Sequence, residues 1–175
     1  MMRTLGTLLC LLLLGAGSSF AADKHGKQAY LGSKAFERLK TLAGVWECEM
    51  DMGNGPMKMK SVYKLSAGGS AVVETALAGT PMEMVTIYHD DSKKRLTMTH
   101  YCMLHNQPKL VLKKYADNKL SMNLAKNSDI DVEKEHHMHS MILTFKGPDK
   151  IVQTWTNFKG GKAEQSMDME FRRVK

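Results

Sequence analysis

Alternation of apolar and polar residues over most of the chain is the feature that most limits its fold. Ten short runs with this period of two are separated by turn-forming Gly, Pro, Asn and Asp residues: 45–52, 57–66, 71–78, 82–89, 95–103, 109–116, 119–125, 137–145, 150–158 and 166–174. Successive side chains of a strand point to opposite faces, so each run has one face to bury. Strands joined by short turns bury these faces and leave no free edge when they close into a barrel. The sequence therefore predicts an all-β protein, an antiparallel up-and-down barrel of about ten strands.

One short helix is predicted before the barrel. Phe36, Leu39 and Leu42 recur at helical spacing, Ser33 is placed to cap the N-terminus, and Gly44 is expected just beyond the C-terminus. From Gly44 onward the period changes from helix-like to strand-like. We therefore expect the helix to precede the barrel as a separate element.

The N-terminal segment has the three-part pattern of a secretory signal peptide. Arg3 precedes a leucine-rich run at 8–14, and small residues follow up to Ala21. The run is shorter than the ~20 apolar residues of a spanning helix. We therefore expect export, to the periplasm or the medium, with no membrane anchor. The predicted divisions are a signal peptide (1–21), a polar leader with the short helix (22–43) and the barrel domain (44–175).

The chain is basic, with a formal net charge of +7. Its cations fall mostly at alternate strand positions or in turns, where a solvated outer face accounts for them. Export and the lack of aromatic residues interleaved with the basic ones argue against nucleic acid as a partner. The sequence leaves the oligomeric state open.

A histidine and a cysteine lie on an otherwise apolar strand face. Alternation in the run 95–103 puts Leu96, Met98, His100 and Cys102 on the same side. The run 137–145 is apolar at Met141 and later odd-numbered positions, which predicts that its odd-numbered side chains point inward. His137 and His139 would then lie inside the barrel with His100 and Cys102.

These four side chains form a candidate metal site. Two histidines at i and i+2 on a strand are close enough for both to bind one metal. Thiol and imidazole donors favour zinc or copper over magnesium or calcium, while haem would need one axial histidine and a wide pocket. Binding of either kind would weaken between about pH 7 and 5, and be abolished when both His137 and His139 are replaced by alanine. The alternative is four hydrogen-bonded polar residues near the barrel mouth, with no ligand.

Methionine is unusually frequent, with 15 in the chain. Eight of these form Met-x-Met pairs, each on one strand face: Met50/Met52, Met57/Met59, Met82/Met84 and Met167/Met169. Thioethers on inner faces are usually flexible core side chains, although exported methionine-rich surfaces can also bind Cu(I). We expect a soft interior that takes a small apolar ligand, with Met98 and Met141 among the residues that contact it.

Cys48 and Cys102 both lie at predicted inward positions, in a compartment where disulfides persist. A disulfide forms only if their α-carbons come within bonding range. The sequence leaves this open.

Two short motifs resemble those of the calycins, the superfamily of lipocalins and fatty-acid-binding proteins. "LAGVW" resembles the Gly-x-Trp signature of their first strand, here Gly44 and Trp46, and "EFRRV" offers Arg172 or Arg173 as the basic residue that packs across that tryptophan. With "THYC", "NQP" and "HMHS", the body of the chain also resembles exported bacterial lipocalin-like proteins. The resemblance implies a barrel that holds something small. The expected function is a non-enzymatic binding protein for an apolar ligand or a metal, and the alternative is a metal- or haem-dependent enzyme.

Overall fold

Ten antiparallel strands close into a barrel in the computed structural model, which describes residues 30–51, 55–116 and 118–175. The strands are β1 (Gly44–Asp51), β2 (Pro56–Ser66), β3 (Ala71–Ala76), β4 (Met84–Asp90), β5 (Leu96–Tyr101), β6 (Lys109–Ala116), β7 (Lys119–Leu124), β8 (His137–Phe145), β9 (Lys150–Lys159) and β10 (Lys162–Arg173). Each pairs with its sequence neighbours, and β10 also pairs with β1. The predicted fold class is confirmed. The expected signal peptide lies outside the described residues.

A short helix, α1 (Lys34–Lys40), precedes β1 as predicted. The Ser33 hydroxyl accepts a hydrogen bond from the Phe36 backbone N–H at 3.2 Å, which confirms the N-cap. The helix ends earlier than expected, because Thr41 is the C-cap and Gly44 already belongs to β1. No helix within the described ranges is long and apolar enough to cross a membrane.

The helix covers one end of the barrel. Its Phe36 and Leu39 side chains are fully buried in the barrel core. The Ser33 hydroxyl donates to the Asp90 carboxylate at the end of β4, at 2.8 Å. The same end is filled by packed side chains that include Leu96, Leu120 and other fully buried residues from most strands. The half of the barrel next to the helix is therefore a solid core.

The contact between Trp46 and Arg173 joins the first strand to the last. The two residues are paired in the β1–β10 register, and the guanidinium carbon lies 4.3 Å from the indole ring centroid. The guanidinium also donates to the backbone carbonyls of Ala43 and Thr41, both at 2.8 Å. The expected cation–π contact is therefore confirmed, with Arg173 and not Arg172 as the partner.

Gly44 is required where the helix connection enters β1. Its φ of +135° is a conformation that other residues rarely adopt, and a β-carbon there would lie 2.8 Å from Nη1 of Arg173. The glycine therefore leaves room for the guanidinium to reach the carbonyls before β1.

Replacing Arg173 by alanine is expected to destabilise the fold by about 2 kcal/mol, because the cation–π contact and charged hydrogen bonds are lost together. The matched control is Arg172→Ala, since the Arg172 side chain is exposed and forms an ion pair with exposed Glu170. Its expected effect is below ~0.5 kcal/mol. Urea unfolding of both variants measures the difference, and equal stability of the two would contradict the structural role of Arg173.

Candidate functional site

A cavity of about 470 Å³ occupies the half of the barrel away from α1. Nine methionines line it: Met50, Met57, Met59, Met82, Met84, Met103, Met138, Met167 and Met169. They include every member of the four Met-x-Met pairs except Met52, which lies outside the described residues. The pairs therefore face a cavity, not a filled core. The volume is within the range of roughly 300–1,000 Å³ that is usual for small-molecule pockets.

Met98 and Met141 do not line this cavity. Both are fully buried in the solid core. Met98 is paired with Tyr88 and Leu110, and Met141 with Met122 and Trp155, so side chains fill the barrel at their level. The expectation that they contact a ligand is therefore corrected.

A belt of four polar side chains crosses four neighbouring strands at the inner end of the cavity. This polar belt consists of Tyr63, Glu74, Thr86 and His100, each the direct cross-strand partner of the next. All four are buried. Glu74, Thr86 and His100 line the cavity. The belt therefore gives a mostly apolar cavity one polar end.

Glu74 is the hydrogen-bond acceptor at the centre of this network. Its Oε1 accepts from the hydroxyls of Ser61 at 3.1 Å and Tyr63 at 2.9 Å, and from the Gln153 amide at 2.7 Å. Its Oε2 accepts from the Tyr88 hydroxyl at 2.7 Å. Four donors therefore converge on one carboxyl group. Burial is the main cause that raises the pKa values of Tyr63 and Tyr88, and the Glu74 charge raises them further. Both hydroxyls therefore stay protonated and act as donors.

The indole of Trp155 extends the network into the cavity wall. Its Nε1 donates to the Gln153 side-chain oxygen at 2.9 Å, and its ring packs against the His100 imidazole with centroids 4.9 Å apart. Glu74, Gln153 and Trp155 were not identified from the sequence. Alternation in the run 71–78 places Glu74 on the same face as buried Val72. A carboxylate among inward-facing residues was therefore a sequence signal that could have identified Glu74 as a site residue.

His100 faces the cavity with one ring nitrogen free of protein partners. Nδ1 forms a hydrogen bond with the Thr86 hydroxyl at 2.8 Å, and Nε2 has no hydrogen-bond partner among the described residues. Burial lowers the pKa of His100 to about 4, so the ring is neutral at physiological pH. It offers a ligand a hydrogen-bonding group without a positive charge.

Cys102 also lines the cavity, just beyond the end of β5. Burial is the main cause that raises its pKa, and it raises the pKa of Cys48 to about 11. Both cysteines are free, so no disulfide joins them. Because the thiolate is the nucleophilic form, burial disfavours nucleophilic chemistry at both side chains at neutral pH.

A β-bulge in β8 reverses the expected direction of its first histidines. The pairing with β9 slips between Met138 and Ser140, which leaves His139 as an extra residue. Beyond the bulge Met141 is paired with Trp155 and points inward, as predicted. Before it, His136 and Met138 line the cavity instead of the two odd-numbered histidines.

His137 and His139 form a separate cluster with Phe158 outside the cavity. The His139 ring stacks on Phe158 with centroids 3.7 Å apart. His137 is fully buried, with Nδ1 2.7 Å from the Glu135 carbonyl and Nε2 3.0 Å from Nδ1 of His139. Because a carbonyl only accepts, Nδ1 donates and the lone pair of Nε2 is used by His139. His137 therefore has no free nitrogen for a metal.

The four predicted metal ligands are thus divided between two places. His100 and Cys102 line the cavity, whereas His137 and His139 do not. Across residues 30–51, 55–116 and 118–175, no group of three or more His, Cys, Asp or Glu side chains could hold a metal ion. The bulge is the physical reason that the predicted set does not assemble.

The fold and the cavity together define a closed, ten-stranded antiparallel β-barrel with a hollow, methionine-lined half. This architecture is consistent with a calycin-like fold. No protein-family model matches the sequence, and no curated protein is significantly similar to it.

Buried neutral His100 makes stability depend on pH. Above its ordinary pKa of 6.5 the ring is neutral in both states, and between 6.5 and about 4 only the unfolded chain binds the proton. Unfolding then takes up a proton, so this histidine lowers stability as pH falls through that window, by up to about 3 kcal/mol. Urea unfolding from pH 7 to 4 should show a shallower loss in His100→Gln than in the wild type.

His89→Gln is the control for this measurement, because His89 is exposed on the same sheet. It should keep the wild-type dependence on pH. A His100→Gln protein with the same dependence as wild type would show that the ring is not held neutral by burial.

Proposed function

We propose that this protein is a non-enzymatic binding protein that holds a small, mainly apolar ligand in the methionine-lined half of the barrel. The observation that carries the proposal is a cavity of about 470 Å³ with nine thioether side chains and one polar end. Apolar walls with a few convergent polar groups are the usual composition of a ligand pocket. In this proposal His100 and Cys102 contact the ligand, together with Glu74, Gln153 and Trp155.

The thioethers provide binding energy without fixing one ligand shape. Methionine has three rotatable bonds and a polarizable sulfur, so its side chains repack around different apolar groups. Removing apolar surface from water provides ~25 cal/mol per Å². Orientation then depends on the polar belt, where donors and acceptors have fixed positions.

The competing functions are metal or haem binding and enzymatic use of the cavity. An absorption spectrum and metal analysis of untagged protein distinguish a bound metal or haem from a purely organic ligand.

Export is also a proposal, supported by the signal-peptide pattern of residues 1–21. Detection of the chain without these residues outside the cytoplasm of its native host would support it.

Binding can be followed with the neutral probe 8-bromooctan-1-ol, whose bromine quenches nearby tryptophan fluorescence. The chain has two tryptophans, and only Trp155 lines the cavity. We expect saturable quenching in the wild type and little quenching in Trp155→Phe, because Trp46 is buried in the solid core. Absence of saturable quenching in the wild type would refute a cavity that takes apolar ligands.

Three variants locate the bound probe. Ala76 lines the cavity, so Ala76→Phe should weaken binding by filling it, whereas Ala163→Phe at an exposed position should not. The double variant His137→Ala/His139→Ala should bind the probe as the wild type does, since both rings lie outside the cavity. Loss of binding in that double variant would instead place the ligand at the His137–His139–Phe158 cluster.

A further inference from the structure

Among the described residues, no lysine or arginine pairs with the carboxyl group of Glu74. It is almost completely buried, and its four hydrogen-bond donors, from Ser61, Tyr63, Tyr88 and Gln153, are all uncharged. No salt bridge within the described ranges includes Glu74, and the cavity lining contains neither lysine nor arginine. Within the part of the chain that the structure describes, this carboxyl group therefore lies at the inner end of an apolar cavity without a cationic partner.

Such an arrangement is unfavourable until an opposite charge arrives. Transfer of a carboxylate out of water is compensated by hydrogen bonds only in part, and buried charges are generally paired. The neighbouring titratable groups do not supply the missing charge. Burial keeps His100 neutral, and a thiol such as Cys102 never carries a positive charge. His136 lies just before β8, where its Nε2 is 3.2 Å from the Glu164 carboxylate.

Glu74 also has room for another donor. Oε1 already accepts three hydrogen bonds, whereas Oε2 accepts only the one from Tyr88. A carboxylate oxygen can accept two or more. Trp155, which is held by Gln153 next to this group, adds an aromatic ring that attracts cations.

We propose that the cavity selects ligands that carry an ammonium group on an apolar body, with the ammonium paired to Glu74. The inference rests on the proposed binding function and specifies its ligand class. The ammonium donates to Oε2, and the apolar body lies among the thioethers. A carboxylate ligand would face the Glu74 charge and be rejected, while a neutral alcohol would gain a hydrogen bond without charge pairing.

The test compares three ligands of equal chain length, n-octylamine, octan-1-ol and sodium octanoate, as competitors of 8-bromooctan-1-ol at pH 7. Octylamine should bind the wild type about tenfold or more tightly than octanol, because a hydrogen bond between charged groups is stronger than a neutral one. Octanoate should bind more weakly than either.

Glu74→Gln should lower the ratio of octylamine to octanol affinity to about one, since the amide carries no charge to pair with the ammonium. The matched control is Glu83→Gln, an exposed carboxylate on the β3–β4 connection, which should keep the preference. Thermal unfolding verifies that each variant is folded. If Glu74→Gln does not fold, the ranking of the three ligands on the wild type decides the matter.

The outcomes separate the two proposals. Equal binding of octylamine and octanol by the wild type, or an amine preference that survives in folded Glu74→Gln, would overturn the ammonium inference and leave the proposed binding function intact. Failure of all three ligands to displace the probe, together with no saturable quenching by the probe itself, would overturn both.

Discussion

Closure of the barrel depends on the pairing of β1 with β10. At this pairing the Arg173 side chain makes several interactions at once, including the contact with Trp46. One guanidinium contacts the indole of the first strand and binds two carbonyls of the segment after the helix. An open sheet of ten strands would expose two edges and the whole apolar lining to water. The helix cover, the solid core and the cavity therefore all depend on these two strands staying together.

The interior changes character along the barrel axis. Next to α1 it is filled by close-packed side chains, and beyond the polar belt it is hollow. The belt is the boundary between the two. Across adjacent strands, Tyr63 donates to Glu74, and the Thr86 hydroxyl is hydrogen-bonded to His100. Hydrogen bonds between buried polar groups hold their side chains in one arrangement. The floor of the cavity is consequently its most rigid part, and its methionine walls are the most adaptable.

Alternation predicted the barrel, the strand number and the inward direction of His100, because these follow from a period of two. Helical spacing and N-cap chemistry predicted the cap at Ser33. It did not predict the direction of His137 and His139. A bulge inserts one residue, so the side chains before it point to the opposite face. Before the bulge in β8, histidines or methionine occupy both faces of the strand. The sequence there therefore contains no sign of the register shift. Glu74 was visible in the sequence, but its four partners come from β2, β4 and β9, and only the fold brings them together.

The nine-methionine wall has a consequence for selectivity. Unbranched, rotatable side chains adjust to the molecule that they contact. A wall made of them therefore discriminates poorly between ligands of different shape. Chemical recognition is left to the few groups whose positions are fixed by hydrogen bonds. Under the proposed binding function, a change of ligand would therefore require substitutions at the floor of the cavity and none in its walls.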